Sequence, residues 1–250
     1  MQGLRVHRQI HSLGAAADLD EAINLLQGTR TGDTPPMLRT YRPRPTLAFG
    51  QRDRRLPGFE AAADASRRHG FEPLVRRAGG RAAAYHPGCL VVDHIEPEPD
   101  PIVESQARFA AFGELLTEAL IDCGIDARIG EIPGEYCAGR ESVHGVGTAL
   151  EGPYATDRRL KIIGTAQRVI ATGWLFSSVI VVEGGSSIRR VLSDVYGHLG
   201  LDWDPLTAGA AEDLVPGLSV GTVEDAVLAA YRRHWRLETP PKTSRGTDSP

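Results

Sequence analysis

The stretch DRRLKIIGTAQRV, residues 157–169, decides how this chain is read. Leu160, Ile162 and Ile163 give it the apolar character of a strand, Gly164 and Ala166 keep it narrow, and Lys161 stands in the middle. The chain has 28 Lys+Arg residues; two are lysines, Lys161 and Lys242, which leaves 28 − 2 = 26 arginines. Where arginine is written nearly everywhere, a merely solvated base here would be arginine too. A lysine kept on an apolar strand reads instead as a cation that meets an anionic or carbonyl oxygen, or as a reactive amine. The competing reading is a strand-edge lysine whose ammonium lies in water.

Outward from that strand the chain alternates strand and helix patterns without a strict βαβ rhythm, which predicts an α+β fold: a mixed sheet with flanking helices. Apolar residues at helical spacing predict helices over 19–27, 59–70, 103–123, 187–199 and 223–235. Strands are expected in MLRTYRP and TLAFGQ (separated by RPRP), EPLVRR, CLVVDHI, LKIIGTAQRV and WLFSSVIVVE. Residues 130–158, rich in Gly, Pro and polar side chains, read as one long loop of the kind that carries function. A single domain over residues 1–238 is expected, followed by a disordered tail over 239–250.

Composition narrows the function. A net charge of −4 argues against nucleic acid as a partner, no run approaches the length of a membrane span, and three cysteines without a CxxC pair argue against a disulfide framework. A cytoplasmic protein is expected. P-loop, dinucleotide-fold and protein-kinase signatures are missing. His86, Cys89 and His94 make no complete ligand set, so no metal is assigned.

RRAGGRAAAYHPG, residues 76–88, carries more information. Its glycines allow close approach of a ligand, its backbone N–H groups can cradle an anion, and Arg76 or Arg77 can pair with a carboxylate or phosphate. The alternative is a hairpin turn with solvated arginines. Of the cysteines, Cys137 lies in the polar loop, where a nearby cation would make it an acyl acceptor, whereas Cys123 reads as helix packing.

Three motifs in this order resemble the lipoate-protein ligase and octanoyltransferase family, within the biotin/lipoate ligase superfamily. LRTYRPRPTLAFGQRD is similar to LRxYxWxPPxxSxG. VRRAGGRAAAYHPGCL is similar to RRxSGGGAVxHDxGxL. LKIIGTAQRV is similar to GRKxxGxAQxR. The resemblance implies that Lys161 matches the superfamily's catalytic lysine, a fixed ammonium that stabilises acyl oxygen in a dry site. It implies an acyl- or nucleotide-binding set of Arg76, Arg77, Gly79, Gly80, Arg81, His86, Gly164, Thr165 and Ala166, and it places Cys137 where one branch of transferases carries a thioester cysteine. The activity implied is transfer of an octanoyl or lipoyl group onto a lysine of a lipoyl carrier domain, of a 2-oxoacid dehydrogenase E2 subunit or the glycine cleavage H protein, with acyl carrier protein as a further candidate donor. An ATP- and Mg²⁺-dependent ligase and a non-catalytic acyl-binding homologue are the alternatives; no tightly held cofactor is implied. The chain departs from the pattern at Ala78 for serine, GCLVVD for GNLNFS, and FSS (176–178) for the usual HG.

Overall fold

Residues 1–148 and 157–238 are described by the computed structural model. The strands are β1 (Gly3–Gln9), β2 (Met37–Tyr41), β3 (Thr46–Phe49), β4 (Glu72–Val75), β5 (Ala83–Tyr85), β6 (Cys89–Pro97), β7 (Asp126–Ile129), β8 (Val143–Thr148), β9 (Asp157–Ile170), β10 (Gly173–Val181) and β11 (Arg236–Glu238). The helices are α1 (Ala15–Gly28), α2 (Phe59–Arg68), α3 (Ser105–Asp122), α4 (Gly185–Leu199) and α5 (Val220–Arg232). Eight strands form one mixed sheet in the order β11-β1-β2-β6-β10-β9-β8-β7, and β4-β3-β5 form a smaller one. In the large sheet β1 runs parallel to both neighbours, and the remaining pairs are antiparallel. The architecture is α+β, as the sequence predicts.

The two-residue period of a strand explains the layering. In β10, Trp174, Phe176 and Ile180 enter a core shared with α3 and α5. The alternate residues Val179 and Val181 meet the smaller sheet and α4, while Leu175 meets α1. The large sheet is therefore covered on both faces, which suits its runs of apolar residues.

Folding settles two points. MLRTY and TLAF, which RPRP separates, belong to different sheets. The long loop expected over 130–158 contains β8, which hydrogen-bonds β7 and β9; its residues 149–156, like the tail 239–250, lie outside the described residues. β1, β7 and β11 were not expected. Among the described residues no helix is long and apolar enough to cross a membrane.

One local irregularity brings Lys161 to the cavity between the sheets. The β8–β9 register shifts between Val143, which faces Ile163, and His144, which faces Lys161. β9 thus carries an extra residue there, and both Ile162 and Ile163 enter the core. That offset lets Lys161 and Gly164, three residues apart, line the same cavity.

Arg39 ties four elements together while wholly buried. Its Nη1 donates to Asp93 Oδ2 at 3.0 Å, its Nη2 pairs with Asp18 Oδ1 at 3.3 Å, and Gln9 Oε1 accepts from Nε and Nη2 at 3.0 and 2.6 Å. Removing the cation strands two buried carboxylates, so Arg39→Met is expected to lower the unfolding free energy in urea by about 3–5 kcal/mol.

His94 is also buried, packed 5.0 Å from the rings of Phe112 and Trp174, with Nε2 at 2.9 Å from Glu96 Oε2 and Nδ1 without a partner among the described residues. Burial holds its pKa below the ordinary 6.5, with Glu96 opposing. The unfolded chain then binds this proton more readily than the folded one. Stability should be full above pH 6.5 and fall as the pH drops through and below that value; His94→Phe should flatten the slope between pH 6.5 and 5 in urea titrations.

Candidate active site

Between the two sheets lies a cavity of about 430 Å³. Val91, Asp93, Ser177 and Val179 of the large sheet line one wall together with Gly164 and Ala166. Ala83, Ala84 and Tyr85 of β5 line another, and Leu19, Ala22 and Ile23 of α1 contribute as well. Lys161 also lines it. Along β9 it lies five residues from Ala166, roughly 16 Å of extended strand. The slot is mostly apolar, and its strands leave it open where they present small residues, Ala83, Ala84, Gly164 and Ala166.

Lys161 is 1% exposed. Its Nζ donates to Glu135 Oε1 at 2.9 Å, to the Tyr136 carbonyl at 2.9 Å and to the Cys137 carbonyl at 2.8 Å. An ammonium has three N–H donors, and all three are engaged. The oxygens this lysine holds are those of the loop between β7 and β8. It also lies 5.0 Å from the centroid of the Tyr136 ring.

Glu135 is the residue that the sequence reading missed. Buried and charged, it accepts from Lys161, from Ser142 Oγ at 2.5 Å, and from the backbone N–H groups of Ile132 and Gly139 at 3.2 and 3.3 Å. One carboxylate thereby closes the loop on itself. Its only sequence signal was its place between two glycines of a polar loop, which any solvated glutamate could share.

The anchored loop presents Cys137. Its φ of +45° is positive, which a side-chain-bearing residue adopts only when its surroundings enforce it. Its N–H donates to Tyr196 Oη at 2.8 Å, and that hydroxyl donates to the Ala82 carbonyl at 3.0 Å. Its Sγ accepts from the Arg81 N–H at 3.2 Å and lies 3.6 Å from Arg76 Nη2. Gly80 makes this approach possible: at φ +104° it takes a glycine conformation, and a Cβ there would stand 2.8 Å from the sulfur.

The remaining expected residues divide. Arg76, Arg77, Gly79 and Gly80 line the cavity, as do Gly164, Thr165 and Ala166. Arg81 contributes its backbone, its side chain being paired with Asp53 at 3.0 Å. His86 is not brought to the slot: its Nδ1 accepts from the Gly88 N–H at 2.9 Å, its Nε2 is 3.3 Å from the Gly184 carbonyl, and burial lowers its pKa. Ile162 and Ile163, which give β9 its apolar character, are core. Cys89 is core as well, and burial pushes its thiol up to about 12. Two departures from the family pattern turn out to be one feature, since Ser177 Oγ donates to Asp93 Oδ1 at 2.6 Å across paired strands on the cavity wall.

Residues 15–197 match the family described as the lipoyl protein ligase A/B catalytic domain. The chain belongs to that family. It is 26% identical over 198 residues to the octanoyl-[GcvH]:protein N-octanoyltransferase of Geobacillus kaustophilus, covering 79% of this chain and 65% of that protein. It is 27% identical over 213 residues to a protein of the same name from Exiguobacterium sp., covering 81% and 70%. The chain thus spans about two thirds of the length of these relatives. Among solved structures it resembles a lipoate-protein ligase A bound with ATP, with a TM-score of 0.65 at 19% identity over 97% of this chain and 90% of that one. It likewise resembles a bipartite lipoate protein ligase from Thermoplasma acidophilum, with a TM-score of 0.64 at 18% identity over 97% and 88%. The lipoate ligase fold and the enzyme family are those the motifs implied.

In this member of the family the Glu135–Lys161 pair can be tested as a unit. Glu135→Ala is expected to cost about 3–5 kcal/mol because it leaves a buried ammonium without its counter-charge. Adding Lys161→Met should recover part of the loss, and a double-mutant cycle by urea unfolding reads the coupling between the two groups.

Proposed function

We propose that this protein transfers an octanoyl group, through a thioester on Cys137, to a lysine of a lipoyl carrier domain. The observation that carries the reading is Cys137 itself, held at positive φ beside an acyl-sized slot with an N–H and a guanidinium on its sulfur. The acyl chain lies along the β9–β10 wall with its carbonyl toward the loop. Burying it there removes apolar surface from water and excludes water from the reacting carbon.

In the first half-reaction the sulfur attacks the acyl carbonyl carbon of a carrier-borne octanoyl donor. The new C–S bond forms, the bond to the donor's heteroatom breaks, and the departing group leaves with the thiol's proton. In the second, the amine of the target lysine attacks the thioester, the C–N bond forms, the C–S bond breaks, and a proton of the amine returns to sulfur. Lys161 acts by holding the loop that aims the sulfur, and its charge lies beside the Cys137 carbonyl. The relatives' name points to the glycine cleavage H protein as donor, and a 2-oxoacid dehydrogenase lipoyl domain is a fitting acceptor. The apolar slot also suits a lipoyl chain, the substrate of the ligase reading.

Intact-mass analysis of an apo lipoyl domain decides among these readings. With octanoyl-H protein or octanoyl-acyl carrier protein as donor and no ATP, the domain should gain one octanoyl group, and a short reaction should show the same increment on the enzyme. Cys137→Ser should abolish both, and Lys161→Met should slow transfer by about a hundredfold or more through loss of loop positioning. Modification that requires ATP and survives Cys137→Ser would replace the transferase by the ligase. Tight binding of octanoate or lipoate without modification under any condition would leave an acyl-binding protein.

A further inference from the structure

Four cations belong to the site's two motifs, and the structure distinguishes them. Lys161 has spent its three donors on Glu135 and two loop carbonyls. Arg81 turns its guanidinium to Asp53 and gives the sulfur only a backbone N–H. The Arg77 side chain is exposed. Arg76 is different: its Nη2 lies 3.6 Å from Cys137 Sγ, while Nη1 donates to Tyr85 Oη at 2.8 Å and Nη2 also to the Arg81 carbonyl at 2.8 Å.

A second observation concerns the same side chain. Arg76 Nε is buried and, among the described residues, has no acceptor. A donor enclosed without a partner costs free energy, and its persistence calls for a function. Nε and Nη2 form one edge of the guanidinium, the edge that takes two oxygens in parallel. Arg8 uses that edge on Glu224, at 3.0 and 2.6 Å. In Arg76 one atom of the edge, Nη2, already meets the sulfur, and Nε is the adjacent, unpartnered donor on the same carbon of the same planar group.

Resting on the reading of Cys137 as acyl acceptor, we propose that Arg76 is a catalytic residue: Nη2 is the counter-cation of the Cys137 sulfur, and Nε donates to the oxygen of the acyl group as it becomes an oxyanion. Both charges of the addition step are then met by one planar group. When the sulfur adds to the acyl carbon, its negative charge moves to the carbonyl oxygen, and the guanidinium follows by shifting weight from one N–H to its neighbour. When the intermediate collapses, the charge leaves with the departing group or returns to sulfur, and no proton need be exchanged with Arg76. Although burial alone would lower the pKa of this guanidinium, Tyr85 and Cys137 more than offset it and raise the pKa, so the group stays a cation. Tyr85, whose own pKa is raised by burial, fixes the far side of the fork as a neutral hydroxyl and is a positioning residue.

The test separates the role of Arg76 from the acyl chemistry. Alkylation of Cys137 by iodoacetamide at a fixed neutral pH, read by peptide mass, needs no acyl donor and reports the reactivity of the sulfur. Arg76→Gln should slow Cys137 alkylation about tenfold while Cys123 reacts at the parental rate. Arg76→Lys, which keeps the charge and loses the fork, should recover most of the alkylation yet stay about tenfold or more down in single-turnover acylation of the enzyme. Cys89, buried in the core, is an internal control for folding, because it is labelled only if the domain opens. Should Arg76→Gln expose Cys89, Tyr85→Phe takes its place, with an expected loss of about threefold. Alkylation of Cys137 at the parental rate in the folded variant overturns the assignment to sulfur, and equal acylation by Arg76→Lys and the parent overturns the assignment to oxygen. If the enzyme never carries an acyl group on Cys137 although Arg76→Gln slows alkylation, the transferase reading fails and the sulfur–guanidinium pair stands.

Discussion

The interaction on which the site depends is the burial of the Lys161 ammonium against Glu135. Taking two opposite charges out of water is expensive unless geometry is good and the remaining donors and acceptors are satisfied. Here they are. The ammonium spends its other two N–H groups on the carbonyls of Tyr136 and Cys137, and the carboxylate takes a hydroxyl and two backbone N–H groups from the same loop. The cost of burial is offset only when residues 132–142 adopt one conformation. The ion pair therefore acts less as a source of stability than as a specification of shape, and Cys137 is the residue whose backbone that shape constrains.

The slot comes from a different constraint, the alternation of side chains along paired strands. The small residues of β5 and β9 leave a cavity that no side chain fills, and the offset on β9 brings Lys161 and Gly164 to its lining. The wall is not wholly apolar. Asp93 and Ser177, at positions where the family pattern has other residues, bond to each other, and Asp93 also meets the buried Arg39. Burial raises the pKa of Asp93, with Arg39 and Ser177 opposing, so the change at one motif position is balanced by the change at the other and by the cation beneath them. The two departures form one coupled replacement in the cavity wall.

Much of this was legible in the residues alone. The excess of arginine singled out Lys161, the glycine pair marked a place of close approach to the backbone, and helix periodicity placed five helices within a few residues of their observed ends. Other features were not. Periodicity cannot show which sheet a short strand joins, so the separation of β2 and β3 into two sheets lay beyond it. A glycine-rich stretch hides a strand such as β8 whose pairing is supplied by its partners. His86 was carried along by its motif, yet among the described residues its imidazole bonds to the backbone of Gly88 and Gly184.

By itself, then, the sequence determined the α+β class, the family and the residue types that gather at the site, because these depend on local pattern and on motif order. Tertiary structure alone decided the division of labour among the cations. Lys161 could be an anchor only once Glu135, twenty-six positions earlier, was folded against it. Arg76 could be told from Arg77 only by which of two adjacent side chains turns inward to the sulfur. The physical reason is that an ion's role is set by the partners that saturate it, and those partners come from distant parts of the chain.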